Sequence, residues 1–284
     1  FGGNPLAVLP DARRLSASRM QQIAREFNYS ETTFVLPPES GHSNRVRIFT
    51  PTREVAFAGH PNIGTAFVLA TADLLPAFEE ETTVTFEEEA GLVPVTIRKQ
   101  PDRRYRCELM APQGLTISAE APIALAAAAL SLKPGDIDAG LHPPLVASVG
   151  LPFLVVAVRD LEVLARARID SPAIEALQSN GICPDVLFYT QSPTKPDIRA
   201  RMFAPLDGVP EDPATGSANC ALAALLAHLD PAADGDFAWQ IAQGVEMGRP
   251  SLLETRVRKR DGIIEATMIG GDCVLVSEGR ISTE

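Results

Sequence analysis

The sequence predicts an α+β protein of two pseudo-symmetric halves, each a curled antiparallel sheet or barrel around a central helix. Three observations carry this. Short strand patterns bounded by turn residues recur along the chain, one long apolar helix falls in each half, and the surroundings of these two helices repeat. Arg47-Ile48-Phe49-Thr50-Pro51 matches Arg201-Met202-Phe203-Ala204-Pro205, and Gly59-His60-Pro61-Asn62 matches Gly216-Ser217-Ala218-Asn219. An acidic stretch lies between the two motifs in each copy, Glu54 in the first and Glu211-Asp212 in the second. A helix apolar all round must be buried, which calls for a sheet curled about it. The halves are expected at 1–113 and 114–284, with the last strands able to cross back to the first half.

Each element follows from local pattern. Met20, Ile23, Ala24 and Phe27 recur at helical spacing behind a Ser16 N-cap, predicting a helix over 16–27. Strands are expected at 32–36, stopped by Pro37-Pro38, and at 45–50, where charged and apolar residues alternate. Gly59-His60-Pro61 opens the first apolar helix, over 61–72, and strands follow near 82–87, 92–98 and 105–110. The Glu79–Glu81 and Glu87–Glu89 runs read as solvated hairpin ends. Pro112 to Pro144 reads as a linker carrying one Ala-rich helix at 121–131. Beyond it come a strand at 153–158, helices at 160–167 and 172–178, and strands at 186–190 and 198–204. The second apolar helix covers 217–228, and strands at 252–258, 262–269 and 272–277 close the chain, with Gly270-Gly271 as the last hairpin turn.

Composition excludes several function classes. The 284 residues are 45% hydrophobic and 21% charged, which suits a globular chain and not a disordered or coiled-coil one. Lys plus Arg number 25 against 36 Asp plus Glu, a net charge of −11 that repels phosphate backbones and argues against nucleic-acid binding. The four cysteines show no paired spacing, so a reducing, cytoplasmic setting is expected. No apolar run approaches the ~20 residues of a membrane span; the longest candidate, Ala121 to Leu132, is too short. Phosphate-loop and dinucleotide fingerprints are absent, as are H-E-x-x-H and C-x-x-C, which argues against nucleotide and metal chemistry. Thr215-Gly216-Ser217-Ala218 lacks the flanking glycines of a nucleophile elbow.

The repeat has a chemical consequence. Each strand–Pro–loop–Gly–helix unit presents the N-terminus of an apolar helix, with free N–H groups and partial positive charge. If the halves face each other, two such ends form a carboxylate site in an otherwise acidic protein.

Five motifs then carry a family resemblance: Gly3-Asn4-Pro5-Leu6-Ala7-Val8, Ser30-Glu31-Thr32-Thr33-Phe34-Val35, Phe57-Ala58-Gly59-His60-Pro61, Asp212-Pro213-Ala214-Thr215-Gly216-Ser217-Ala218, and Gln243-Gly244 with Met247-Gly248-Arg249-Pro250-Ser251. Spread over nearly the whole chain, they resemble the phenazine-biosynthesis PhzF-like family. The resemblance implies the diaminopimelate-epimerase-like fold, a homodimer, and cofactor-independent isomerase chemistry on a small carboxylic acid bound in the cleft between the halves. It matches Glu31 to the family's proton-shuttling Glu, His60 to its cleft His and Asp212 to its acid. Asn4, Gly59, Gly216 and Ser217 are the corresponding substrate-binding positions. Related epimerases of this fold place a Cys at each helix start; here Ala58 and Thr215 stand there, so a one-carboxylate proton shift remains.

The residues themselves leave simpler readings open. Glu31 taken alone reads as a strand-end cap, and His60 also suits a helix-start residue bonding local backbone before Pro61. Asp212 before Pro213 also suits a turn. Arg249 suits a substrate carboxylate or a structural ion pair. The alternative function is a non-catalytic binder of a small acidic metabolite; a scaffold acting through its dimer surface is a third.

Overall fold

The computed structural model describes residues 2–101 and 104–282. The chain divides into two units, one formed by Gly3–Pro112 with the residues from Gly270 onward, the other by Gln113–Ile269 together with Gly2.

The first unit runs β1 (Leu6–Leu9), α1 (Ala17–Phe27), β2 (Glu31–Leu36), β3 (Asn44–Phe49), β4 (Glu54–Val55), α2 (Gly59–Thr71), β5 (Glu81–Glu88), β6 (Gly91–Lys99) and β7 (Tyr105–Met110). Ser16 caps α1 by accepting from the Arg19 N–H, and Asn28 ends it in a left-handed conformation, φ 52°. The α1 stripe of Met20, Ile23 and Ala24 packs with Phe34 and Phe49. Helix α2 buries Pro61, Asn62, Thr65, Ala66, Phe67, Leu69 and Ala70, as a helix without a polar face must.

The second unit adds β8 (Thr116–Glu120), α3 (Ile123–Ala129) and β9 (Leu145–Ser148), then repeats the first: β10 (Pro152–Ala157), α4 (Leu161–Arg166), α5 (Ser171–Ser179), β11 (Val186–Gln191), β12 (Ile198–Ala204), β13 (Val209–Asp212), α6 (Gly216–Leu229), β14 (Gly235–Gln243), β15 (Ser251–Arg260) and β16 (Ile263–Asp272). The pairing repeats as well as the order. β1 is parallel to β2, β2 antiparallel to β3, β3 antiparallel to β4 and parallel to β5. In the same sequence β10 is parallel to β11, β11 antiparallel to β12, β12 antiparallel to β13 and parallel to β14. The parallel pairs refine the antiparallel expectation. Each joins strands separated by a helical crossover, which returns the chain in its original direction.

The repeat extends to side chains. Arg47 makes a two-pronged bond to Glu54 at 2.6 Å and 2.6 Å, and Arg201 makes the same bond to Glu211 at 2.8 Å and 3.0 Å. The Asn62 amide donates to the Ala58 carbonyl and the Asn219 amide to the Thr215 carbonyl, both at 2.9 Å.

Four sequence expectations need correction. The stretch read as a linker with one helix also holds the strand β8, and its helix α3 is part of the core: Ala126, Ala127, Ala129 and Leu130 are fully buried in the second unit with Leu154 and Phe188. Alanine and proline content imitates a linker there, although small side chains also suit tight packing. Gly270-Gly271 is not a turn but lies inside β16. A Cβ at Gly270 would stand 2.9 Å from the Cys107 carbonyl oxygen, so glycine is what permits that approach. Residues 273–282 form no strand, and Val274, Leu275 and Val276 are exposed. In the Glu87–Glu89 run only Glu89 is exposed. The Glu87 carboxylate accepts N–H bonds from Glu39, Ser40 and His42, which hold its pKa below the ordinary value although burial works to raise it. Strand β14 was outside the expectations, although Phe237, Trp239 and Ile241 alternate as a half-buried strand does. Among the described residues no helix is long and apolar enough to cross a membrane.

Candidate active site

In the first unit, the parallel register sets Leu6 of β1 beside Glu31 of β2. The loop carrying Asn4 and Pro5 therefore arrives at the Glu31 end of the sheet. Helix α2 is fastened to β2 by a 2.8 Å bond between the Thr65 and Thr33 hydroxyls, both buried. Gly59 and His60 are the first two residues of that helix. The result is a close pair, with His60 Nε2 3.2 Å from Glu31 Oε2. The facing atoms are buried, while 17% of the His60 side chain and 18% of the Glu31 side chain stay exposed.

Burial pushes the His60 pKa down to about 3, against a hydrogen bond to the Pro5 backbone that favours the charged form. His60 is thus a neutral imidazole at ordinary pH. A ring N–H given to the Pro5 carbonyl leaves Nε2 as a bare acceptor facing Glu31. One proton placed between Nε2 and Oε2 makes their contact a hydrogen bond. Such a pair can exchange a proton with a third group.

The second unit builds a different arrangement on the same frame. Asp212 is buried at the end of β13, and its Oδ2 accepts from the Thr215 hydroxyl at 2.5 Å. Gly216 and Ser217 are the first two residues of α6. Gln243, fully buried at the end of β14, ties these parts together. Its amide nitrogen donates to the Asp212 carbonyl at 2.7 Å and the Thr215 hydroxyl at 3.0 Å. Its oxygen accepts from the Thr215 N–H at 3.2 Å and the Asn219 amide at 2.6 Å.

The expected residues thus fall into two groups. Asn4, Glu31, Gly59 and His60 assemble in the first unit; Asp212, Gly216 and Ser217 assemble in the second. Arg249 reaches the Gly2 carbonyl at 3.4 Å. Ala58 and Thr215 are the N-cap residues of α2 and α6, so no thiol stands at either helix start. Cys220 is packed inside α6, where burial pushes its thiol up to about 12. No cluster of three or more His, Cys, Asp or Glu among the described residues is arranged to hold a metal. Sequence reasoning missed the Pro5 backbone and the bracing role of Gln243. The strand registers of the repeat are the signal that finds the latter.

Comparison with known proteins agrees with this frame. The family model described as phenazine biosynthesis-like protein matches residues 1–279. A trans-2,3-dihydro-3-hydroxyanthranilate isomerase of Pseudomonas aeruginosa is 36% identical, covering 98% of this chain and 93% of that protein. An uncharacterized isomerase of Mesorhizobium japonicum is also 36% identical, covering 99% and 94%. The crystal structure of a PhzF-family phenazine biosynthesis protein from Bacillus anthracis superposes with TM-score 0.84 at 25% identity, covering 95% and 90%. A hydroxyproline epimerase from Agrobacterium vitis, at 18% identity and TM-score 0.60, covering 85% and 71%, shares the fold. The chain is an isomerase, and it belongs to the phenazine biosynthesis-like family.

Proposed function

We propose that this isomerase moves a proton between two carbons of a small carboxylic acid, with Glu31 as the proton carrier and His60 as its partner. The 3.2 Å contact between Glu31 and a neutral His60 supports the reading. In the forward step the Glu31 carboxylate takes a proton from a substrate carbon; the C–H electron pair moves into the adjoining unsaturated system. The protonated Glu31 is held by the His60 lone pair and returns the proton to a second carbon, so no electrons are gained or lost. Neutral His60 accepts this hydrogen bond without competing for the proton, because its own basicity is so low. Asp212, its geometry fixed by Thr215 and Gln243, is proposed to orient a polar substituent of the substrate. Gly59, Gly216 and Ser217 are proposed to supply backbone N–H groups for an anion. No cofactor enters this scheme.

The relative's substrate, trans-2,3-dihydro-3-hydroxyanthranilate, is a small acid of the required kind and the first compound to try. The test is turnover in deuterated water by the wild-type protein and by Glu31→Gln. A positioned general base is worth ~10²–10⁴-fold, so the loss should fall mainly on kcat. His60→Ala should weaken binding as well. Near-full turnover and deuterium exchange by Glu31→Gln would remove Glu31 from the scheme. Binding without exchange in the wild-type protein would favour a non-catalytic acid binder. The homodimer implied by the resemblance is carried as part of this proposal, and light scattering in solution tests it.

A further inference from the structure

We propose that the Glu88 carboxyl group is a positioning device for His60, doing for Asn62 what Gln243 does for Asn219. The strand registers make the equivalence. Arg45 of β3 lies beside Glu87 of β5, and Arg199 of β12 lies beside Ala242 of β14. Arg45 and Arg199 hold the same place, two residues before the repeated Arg47 and Arg201. The next residue along, Glu88 in one unit and Gln243 in the other, is then the same position, and each is the last residue of its strand.

The partners correspond too. Asn219 binds the N-cap carbonyl of α6 and is braced by Gln243. Asn62 binds the N-cap carbonyl of α2 and has Glu88 beside it. Ala58, which supplies that carbonyl, is two residues before His60. Both Glu88 carboxyl oxygens and the Asn62 Oδ1 atom are buried and make no well-aligned hydrogen bond, and the Asn62 amide N–H is what stands near enough to favour the carboxylate. A carboxylate there would be a buried charge with only the Asn62 amide N–H to offset it. A neutral carboxylic acid has one donor and one acceptor, as the Gln243 amide has donors and an acceptor, and its O–H can satisfy Asn62 Oδ1.

Nearby charges leave Glu88 unneutralised. On its own strand Glu87 is held by the backbone of residues 39–42, and Glu89, in the turn that follows, is exposed and draws on Arg47. On β3, Arg45 pairs with Glu39 and Arg47 with Glu54 of β4. Gly91 is its partner on β6, and α2 contributes His60, which is neutral. Burial accordingly pushes the Glu88 pKa up to about 8, with only the Asn62 amide opposing. The start of α2 is therefore braced at neutral pH and loses its brace as Glu88 ionises.

The test compares wild type, Glu88→Gln and Glu88→Leu without ligand, following the His60 ring resonances by NMR from pH ~6 to ~9.5. The wild-type signals should shift with an inflection near pH 8 that His60 itself cannot supply. Glu88→Gln should keep the low-pH positions throughout, and Glu88→Leu should displace or broaden them at every pH. An inflection that persists in Glu88→Gln, or a wild-type profile flat to the alkaline end, would overturn the proposal. Should Glu88→Leu not fold, the comparison of wild type with Glu88→Gln still decides. A kinetic arm rests on the proposed function: with trans-2,3-dihydro-3-hydroxyanthranilate, Glu88→Leu should lose up to ~10²-fold in kcat with little change in KM, and Glu88→Gln should restore it. The NMR arm needs no substrate, so its failure is distinct from failure of the isomerase reading.

Discussion

Arg201→Ala and Arg47→Ala remove the same residue from equivalent places in the two units, yet their costs should differ several-fold. Arg201 and its partner Glu211 are 5% and 17% exposed; Arg47 and Glu54 are 20% and 33% exposed. Arg201 also donates to the Leu164 and Ala167 carbonyls at 2.8 Å and 3.1 Å, at the C-terminal end of α4, and lies over the Phe188 and Phe203 rings. Truncating it leaves a mostly buried carboxylate and helix-end carbonyls without their donor, a loss of ~3–5 kcal/mol. Arg47 stacks only on Phe49, and Glu54 can turn to water, so its loss should be ~1 kcal/mol. Urea unfolding followed by circular dichroism measures both. The single tryptophan, Trp239 on β14, adds a fluorescence probe within the second unit. Double-mutant cycles with Glu54→Gln and Glu211→Gln isolate the pair terms. Equal losses at the two sites, or a larger one for Arg47, would show that burial is not what separates them.

Two further outcomes follow from buried charge. Glu88 has a folded-state pKa of about 8 against an ordinary 4.5, so the stability it contributes is complete below pH 4.5 and is lost as pH rises through 8. Glu88→Gln should therefore gain ~3 kcal/mol over wild type at neutral pH and nothing at acid pH, read from unfolding midpoints across pH; parallel profiles would contradict this. Lys259 is buried and donates to the carbonyls of Ala227, His228 and Asp230, at 3.0 Å, 3.4 Å and 2.8 Å, closing the C-terminal end of α6. Lys259→Met keeps the stem and should cost ~2 kcal/mol in the same urea assay, while an unchanged midpoint would show that those carbonyls find water instead.

The architecture was legible where periodicity and repetition act over many residues. Ser16 before Met20, Ile23 and Ala24 located α1 to within a residue, and the repeated Arg–Phe–Pro and Gly–Asn motifs announced two copies of one frame. Short strands such as β4 and β13 left no such trace, because two to four residues cannot show a period. The acidic run at 87–89 misled because charge suggests solvent. What decides its surroundings is three backbone N–H groups from residues 39–42 and a helix start far along the chain, neither of which adjacency reveals. Glu31 and His60 stand out by motif, but their 3.2 Å contact depends on the β1–β2 register and the Thr33–Thr65 bond.

The repeat also shows where the two copies part. The bracing set is kept: Arg47 with Glu54 and Arg201 with Glu211, Asn62 and Asn219 on the N-cap carbonyls. The differences gather around the helix starts, with Ala58 against Thr215, His60 against Ser217, and Glu88 against Gln243. A reaction that inverts one centre by taking a proton on one face and giving it on the other asks for matched groups from matched places. A proton moved by one carrier asks for a basic, tunable group on one side and a fixed polar surface on the other. The first unit holds carboxyl and imidazole in contact, each able to change or share a proton. The second holds a hydroxyl and an amide locked around Asp212 in a closed set of hydrogen bonds. Symmetry of frame with asymmetry of chemistry is what the proposed single-carrier proton shift requires.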